Sequence, residues 1–156
     1  MTVVALTTFI EISNQAGRVQ HRFQNGKPGQ LIPYRGVEYP FLSFAYQGAA
    51  KNRTGDNLEA QLMLSVNPIS MGYAVQAVKN RWSVRVDSCS MHPVTFDVGR
   101  TLTTEFWIAA SLSYDAETAE VLLSSGVDAV GADAPNRVLT TYLVGRLPTS
   151  ATIYNK

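Results

Sequence analysis

Apolar and polar positions alternate along most of this chain, and a three- and four-residue spacing replaces the alternation most clearly in one place. Residues 3–12, "VVALTTFIEI", are rich in β-branched side chains and poor in charge, which predicts a strand covered on both faces. Polar "SNQAG" turns the chain into "RVQHRF", where Val19, His21 and Phe23 share one parity. "QNGKPGQ" reads as a loop punctuated by Asn25-Gly26 and Pro28-Gly29. Residues 34–39 then predict a tight hairpin closed on Arg35-Gly36, with Pro33 and Pro40 confining its strands to edges or bulges. After a polar loop over residues 48–57, "LEAQLMLSV" puts Leu58, Ala60, Leu62, Leu64 and Val66 on one parity, the mark of a half-buried antiparallel strand.

The period changes in "NPISMGYAVQAVKN". Ile69, Tyr73 and Ala77, with Ala74 and Val78, predict a short helix over residues 70–79 started near Asn67-Pro68. Alternation returns in "RWSVRVDSCSM", with Trp82, Val84 and Val86 expected inward and Arg85 and Asp87 outward. Residues 101–125 then predict a hairpin. Leu102, Thr104, Phe106, Ile108, Ala110, Leu112 and Tyr114 form its more apolar face, so Phe106 and Ile108 are expected in the core. Asp115 and Glu117 fall at the tip, and Glu105 and Glu120 at outward strand positions, where charge stays hydrated. A loop or short helix to Pro135 and a last strand, "RVLTTYLV", complete the expected fold, followed by a tail. The chain reads as mainly antiparallel β with one helix, a single domain over residues 1–146 and a tail over 147–156.

Composition narrows what such a domain does. Only 16% of the residues are charged, against the ~25% of ordinary soluble domains. Ser, Thr, Asn, Gln and Ala replace the missing charge, a surface suited to contact with other protein. A net charge of +1 with scattered Lys and Arg lacks the basic stripe that phosphate binding needs. The start resembles no signal peptide, and no apolar run approaches the ~20 residues of a membrane span.

The chain has one cysteine and two histidines. Cys89 excludes an intramolecular disulfide, and nothing around it predicts a reactive thiol. His21 alternates with Val19 and Phe23 as a strand residue, His92 precedes Pro93 at a strand end, and neither has a partner at metal-ligand spacing. No nucleophile elbow, phosphate loop or dinucleotide fingerprint occurs. No catalytic, cofactor-binding or metal residues are therefore assigned. Tyr34, Tyr39, Phe41, Phe44 and Tyr46 could stack sugars on a small β-sandwich carbohydrate-binding module, or could be cross-strand pairs of an edge hairpin.

Three blocks in order carry a resemblance. They are "IPYRGVEYPFLSFAYQG", "LEAQLMLSVNPIS" and "TEFWIAASLSYDAETAEVLLSSGVDAVGADAPNRVL", the last closing at Pro135, Asn136 and Arg137. Together, from about Gly29 to Arg137, they resemble the lambda-type phage minor tail protein L family, found at the tip of non-contractile tails and in related hubs. Members commonly continue into a cysteine-rich iron–sulfur domain whose first cysteines follow the Pro-x-Arg. This chain has "TTYLVGRLPTSATIYNK" there, so the cluster is not carried over.

The resemblance implies a β-barrel-like hub domain in a virion, built into a ring of three around the tail axis. A distal tail protein would lie above it and a central hub or receptor-binding protein below. It implies no enzyme, no cofactor, no specific nucleic acid and no membrane anchor. The partner contacts expected on this reading are Lys51 and Arg53 in the 48–57 loop and Leu147, Ile153 and Tyr154 in the tail, whose apolar side chains suffice to dock but not to fold alone.

Overall fold

A computed structural model describes residues 4–48 and 59–125. They form a seven-stranded antiparallel sheet, a separate two-stranded hairpin and one helix. The strands are β1 (Ala5–Ser13), β2 (Val19–Gln24), β3 (Ile32–Tyr34), β4 (Val37–Tyr39), β5 (Phe44–Gln47), β6 (Glu59–Ser65), β7 (Ser83–Met91), β8 (Val98–Tyr114) and β9 (Thr118–Ser124). The helix α1 covers Pro68–Lys79 between β6 and β7. The large sheet runs β2-β1-β7-β8-β9-β6-β5, and β3 and β4 pair with each other.

The change of period has the structural meaning expected of it. Asn67 caps α1, its Oδ1 accepting from the Ile69 and Ser70 amides at 3.0 and 2.8 Å, while Ser70 Oγ reaches back to the Asn67 amide at 3.1 Å. Pro68 stands at the start, where its missing N–H costs nothing. The helix lays Ser70, Ala74 and Ala77 on one face of the sheet, here the helix face. Small residues at this contact let the backbone approach closely. That face supplies Ile10 and Ile12, Phe23, Val84 and Val86, Trp107 and Ala109, Val121 and Leu123, Leu62 and Leu64, and Phe44, all buried.

The opposite face is covered over β1 and β7 by the β3–β4 hairpin. Arg35 and Gly36 both take positive φ, 50° and 75°, the pattern of the two-residue turn whose twist matches its strands. Tyr34 stacks on Phe9 of β1 at 4.2 Å between ring centroids, and Tyr39 meets the same ring edge-on at 5.2 Å. With Ile32, Cys89 and Met91 they form a second, smaller core. Residues 9–12 of β1 are thus covered on both faces, but the expectation for 3–12 fails at the start of the run, where Val4 and Leu6 are exposed.

The sheet is not closed into a barrel. Its end strands β2 and β5 curl towards each other until Phe23 and Phe44 touch edge-on at 5.3 Å. A single bridge, Gln24 to Phe41, joins the two sides. Aromatic side chains fill the seam where a continuous ladder would have to run.

Expected burial is overturned in two strands, β8 and β7. Phe106 is 71% exposed and Ile108 only half-buried, whereas Trp107 and Ala109 are core. The cause is a bulge: Ala109 pairs with Leu123 but Ser111 with Leu122, so Ala110 is extra. The inward set is therefore Trp107 and Ala109 before the bulge and Leu112 after it, and no single parity describes the strand. Asp87, expected outward, is 2% exposed, and Arg85 is half-buried, because the hairpin covers that face of β7. At the tip of the β8–β9 hairpin, Asp115 is exposed as expected and its Oδ1 accepts from the Glu117 and Thr118 amides.

Candidate functional site

The densest gathering of charged side chains among the described residues lies under the β3–β4 hairpin. Antiparallel pairing of β1 with β7 sets Phe9 beside Asp87 and Glu11 beside Arg85, and pairing with β2 sets Arg22 beside Glu11. Alternation sends all of them to the hairpin face. Asp87 is the centre. Its Oδ2 accepts from Arg85 Nη2 at 2.6 Å, Arg85 Nε at 3.1 Å and the Tyr34 hydroxyl at 3.2 Å, and its Oδ1 accepts from Thr104 Oγ1 at 2.6 Å. Arg35 Nη2 adds a longer ionic contact at 3.6 Å. Glu11 Oε2 accepts from Arg22 Nε and from the Tyr39 hydroxyl, each at 3.2 Å, and Arg85 Nη1 lies 3.8 Å from its other oxygen.

The electrostatics follow from these partners. Burial by itself would raise the Asp87 carboxyl, but bonds from Arg85 and Thr104 and the charges of Arg85 and Arg35 outweigh it and hold the group below the usual carboxylate range. The bond to Asp87 in turn raises Arg85. Burial, then the charge and hydrogen bond of Glu11, push the Tyr39 phenol up to about 12. Asp87 is thus ionised at neutral pH, and both carboxylates are already committed to cations and hydroxyls. A general base needs a free lone pair facing a substrate. This network instead fastens a hairpin to a sheet.

A second polar group sits on the helix face. Tyr46 on β5 donates to Glu105 Oε2 on β8, and Trp107 Nε1 reaches the Tyr46 hydroxyl at 2.8 Å and Glu105 Oε2 at 3.3 Å. Burial and the bond to Glu105 raise the Tyr46 phenol. Glu105, expected as an outward position, therefore points inward and is half-buried. Odd parity with Trp107 could have signalled this, had Trp107 been taken as the inward residue.

The remaining candidates have structural partners. His21 stacks on Tyr73 of α1 at 3.9 Å, with Nε2 3.0 Å from Gln76 Oε1. His92 Nδ1 accepts from the Val94 and Thr95 amides and shapes the β7–β8 turn. Cys89 is fully buried beside Thr101. Pattern reading missed Gln24, a buried amide that binds the Lys27 and Gln30 carbonyls and the Gly26 and Lys27 amides and so braces the loop before the hairpin. Among the described residues no three His, Cys, Asp or Glu side chains gather as a metal site.

Tyr34, Tyr39 and Phe44, which a sugar-binding strip would have to expose, are buried at 8%, 2% and 9%. A depression of about 560 Å³ lies between the β1–β2 turn and the end of α1, lined among others by Asn14, Gln15, Lys79 and Trp82. Another of about 300 Å³ lies between Lys27, Ile32 and Phe96. The lining of neither includes a buried ionisable group. Lys51, Arg53, Leu147, Ile153 and Tyr154, the expected partner contacts, lie outside the described residues, as do the last expected strand and the tail. Comparison with protein-family models finds no match, and neither does comparison with curated proteins.

Proposed function

We propose that this chain is a structural, non-enzymatic subunit of a phage tail tip, a hub domain joining the distal tail ring to the central hub or receptor-binding protein. Three copies form a ring around the tail axis, and protein contacts rather than a cofactor, nucleic acid or membrane define its partners. The observation that carries this reading is the destination of the buried charge: Asp87, Glu11, Arg85 and Arg22 bind one another and the hairpin tyrosines. The polar interior makes a rigid two-faced sheet, and the order of the three sequence blocks points to a tail hub. Function then rests on geometry repeated around an axis.

Tails purified from infected cells test it. The chain should be present at a fixed small copy number, and deletion of residues 147–156 should leave a folded domain that no longer enters tails. A chain absent from purified particles would overturn the reading, and normal tails built from the truncated chain would remove the tail contact from it.

A further inference from the structure

Both ends of the β3–β4 hairpin are tied to one residue. The Gln24 amide donates to the Pro40 carbonyl at 2.9 Å, and the Gln24 carbonyl accepts from the Leu42 amide at 2.9 Å. The Gln24 side chain holds the near end, its Nε2 donating to the Lys27 and Gln30 carbonyls at 3.1 and 3.0 Å. Residues 31–39 therefore leave the sheet and rejoin it at neighbouring points beside β2. A segment with its ends so close can swing as one body without stretching the ladder beneath it.

Between these anchors the hairpin is held by side chains. β3 and β4 pair with each other and share no ladder with the large sheet. Among the described residues, no backbone hydrogen bond joins 31–39 to β1 or β7. Tyr34 and Tyr39 pack on Phe9, and Ile32 lies in the same small core. The Tyr34 hydroxyl lies 3.2 Å from Asp87 Oδ2 and 3.0 Å from Thr101 Oγ1. Tyr39 reaches Glu11 at 3.2 Å, and Arg35 lies 3.6 Å from Asp87. A lone two-stranded hairpin is marginal in water, so this docking is what keeps it formed. The middle of β7, by contrast, is laddered to β1 on one side and β8 on the other. Cooperative units held by fewer contacts open at lower free energy than a laddered core.

Cys89 is fully buried in the core that the hairpin closes. We propose that the β3–β4 hairpin opens as a unit between its anchors at Gln24 while the seven-stranded sheet stays folded, and that each opening uncovers Cys89. The device belongs to the domain itself, whatever assembly the domain enters.

Alkylation of the full native chain by iodoacetamide, followed by intact mass, reads the opening, because Cys89 is the one cysteine. The opening constant obtained should exceed that from amide hydrogen exchange of residues 84–87 by about ten-fold or more. Tyr34→Phe keeps the ring but removes the hydroxyl beside Asp87 and Thr101, and should speed labelling by about ten-fold. Val121→Ala, in the helix-face core of β9, should lower the stability of the whole domain yet leave labelling unchanged. One shared constant for thiol and amides would mean that only global unfolding bares Cys89, which overturns the proposal. Labelling that quickens with Val121→Ala in step with its lost stability has the same meaning. Immediate labelling of the native chain, or a rate that Tyr34→Phe leaves untouched, overturns it as well.

Discussion

The two faces of the large sheet are held by different means. The helix face is an apolar layer in which Ala74 and Ala77 of α1 lie over Val84, Trp107, Val121 and Leu62, and its stability scales with the area kept from water. On the hairpin face, three aromatic rings from Phe9, Tyr34 and Tyr39 surround a carboxylate, a guanidinium and their hydroxyl partners. Buried charge of this kind adds little net stability over an apolar equivalent, but it is costly to break one-sidedly. An apolar face accepts many sequences of similar volume. A charged one specifies which hairpin docks and in what register. The two faces should accordingly fail in different ways.

The largest effect is expected on the helix face. Trp107 is 7% exposed and joins the core to the Tyr46–Glu105 pair. Trp107→Ala should cost ~3–5 kcal/mol through lost burial and the cavity left behind. Urea denaturation measures it, and a change below about 1 kcal/mol would mean that Trp107 is not the inward residue of β8.

On the hairpin face, Asp87→Ala should cost roughly 3 kcal/mol, because it removes a buried carboxylate and leaves the half-buried Arg85 without its main partner. Asp87→Asn, which keeps an acceptor for Arg85 and Tyr34, should cost less. Equal losses would show that packing rather than charge holds the hairpin. The same carboxylate sets an acid limit. Its folded pKa is lowered, so its contribution is complete above the unfolded value of about 4 and is lost as pH falls through the folded value. The stability gap between wild type and Asp87→Asn should hold constant from about pH 7 to pH 5 and close below about pH 4. A gap that already closes between about pH 7 and pH 5, above the unfolded value, would contradict the assignment.

Gly26 lies where the loop braced by Gln24 passes over β1, and an added Cβ would run into Thr7 Oγ1 and lie 3.0 Å from Met91 Cε. Gly26→Ala should cost about 1–3 kcal/mol by overpacking. Thr7 Oγ1 is itself buried without a hydrogen-bond partner. Thr7→Ala, which removes that oxygen but keeps the nearby Thr7 Cβ, should therefore recover part of the loss, and thermal unfolding of the paired variants decides it.

Local pattern made legible much of the helix face and the hairpin's own turn: the alternation of β6, the strand around Ile10, the cap at Asn67 and the turn at Arg35-Gly36 are all written within a few residues. Where the hairpin docks was not legible. Nothing near Asp87 in sequence says that Tyr34, 53 positions away, will cover it, so a charged residue in an alternating strand reads as outward. The candidate site suffers the same loss, since each of its bonds from the hairpin spans two distant elements. In β8 the failure had another origin. One extra residue, Ala110, divides the strand into two inward parities, and summing apolar residues over its whole length favoured Phe106.

That error predicts the smallest effect, at the neighbour of the most costly position. Phe106 sits on the hairpin side of β8, opposite Arg85 in the ladder but beyond the reach of the hairpin cores, and is 71% exposed. Truncating it removes little buried surface and leaves no cavity. Phe106→Ala should change stability by no more than about 0.5 kcal/mol in dilute solution, against the several kcal/mol expected at Trp107. Denaturation midpoints for the two variants separate the parities directly. A costly Phe106 and a cheap Trp107 would turn β8 over, sending Glu105 to the opposite face and removing its bond with Tyr46.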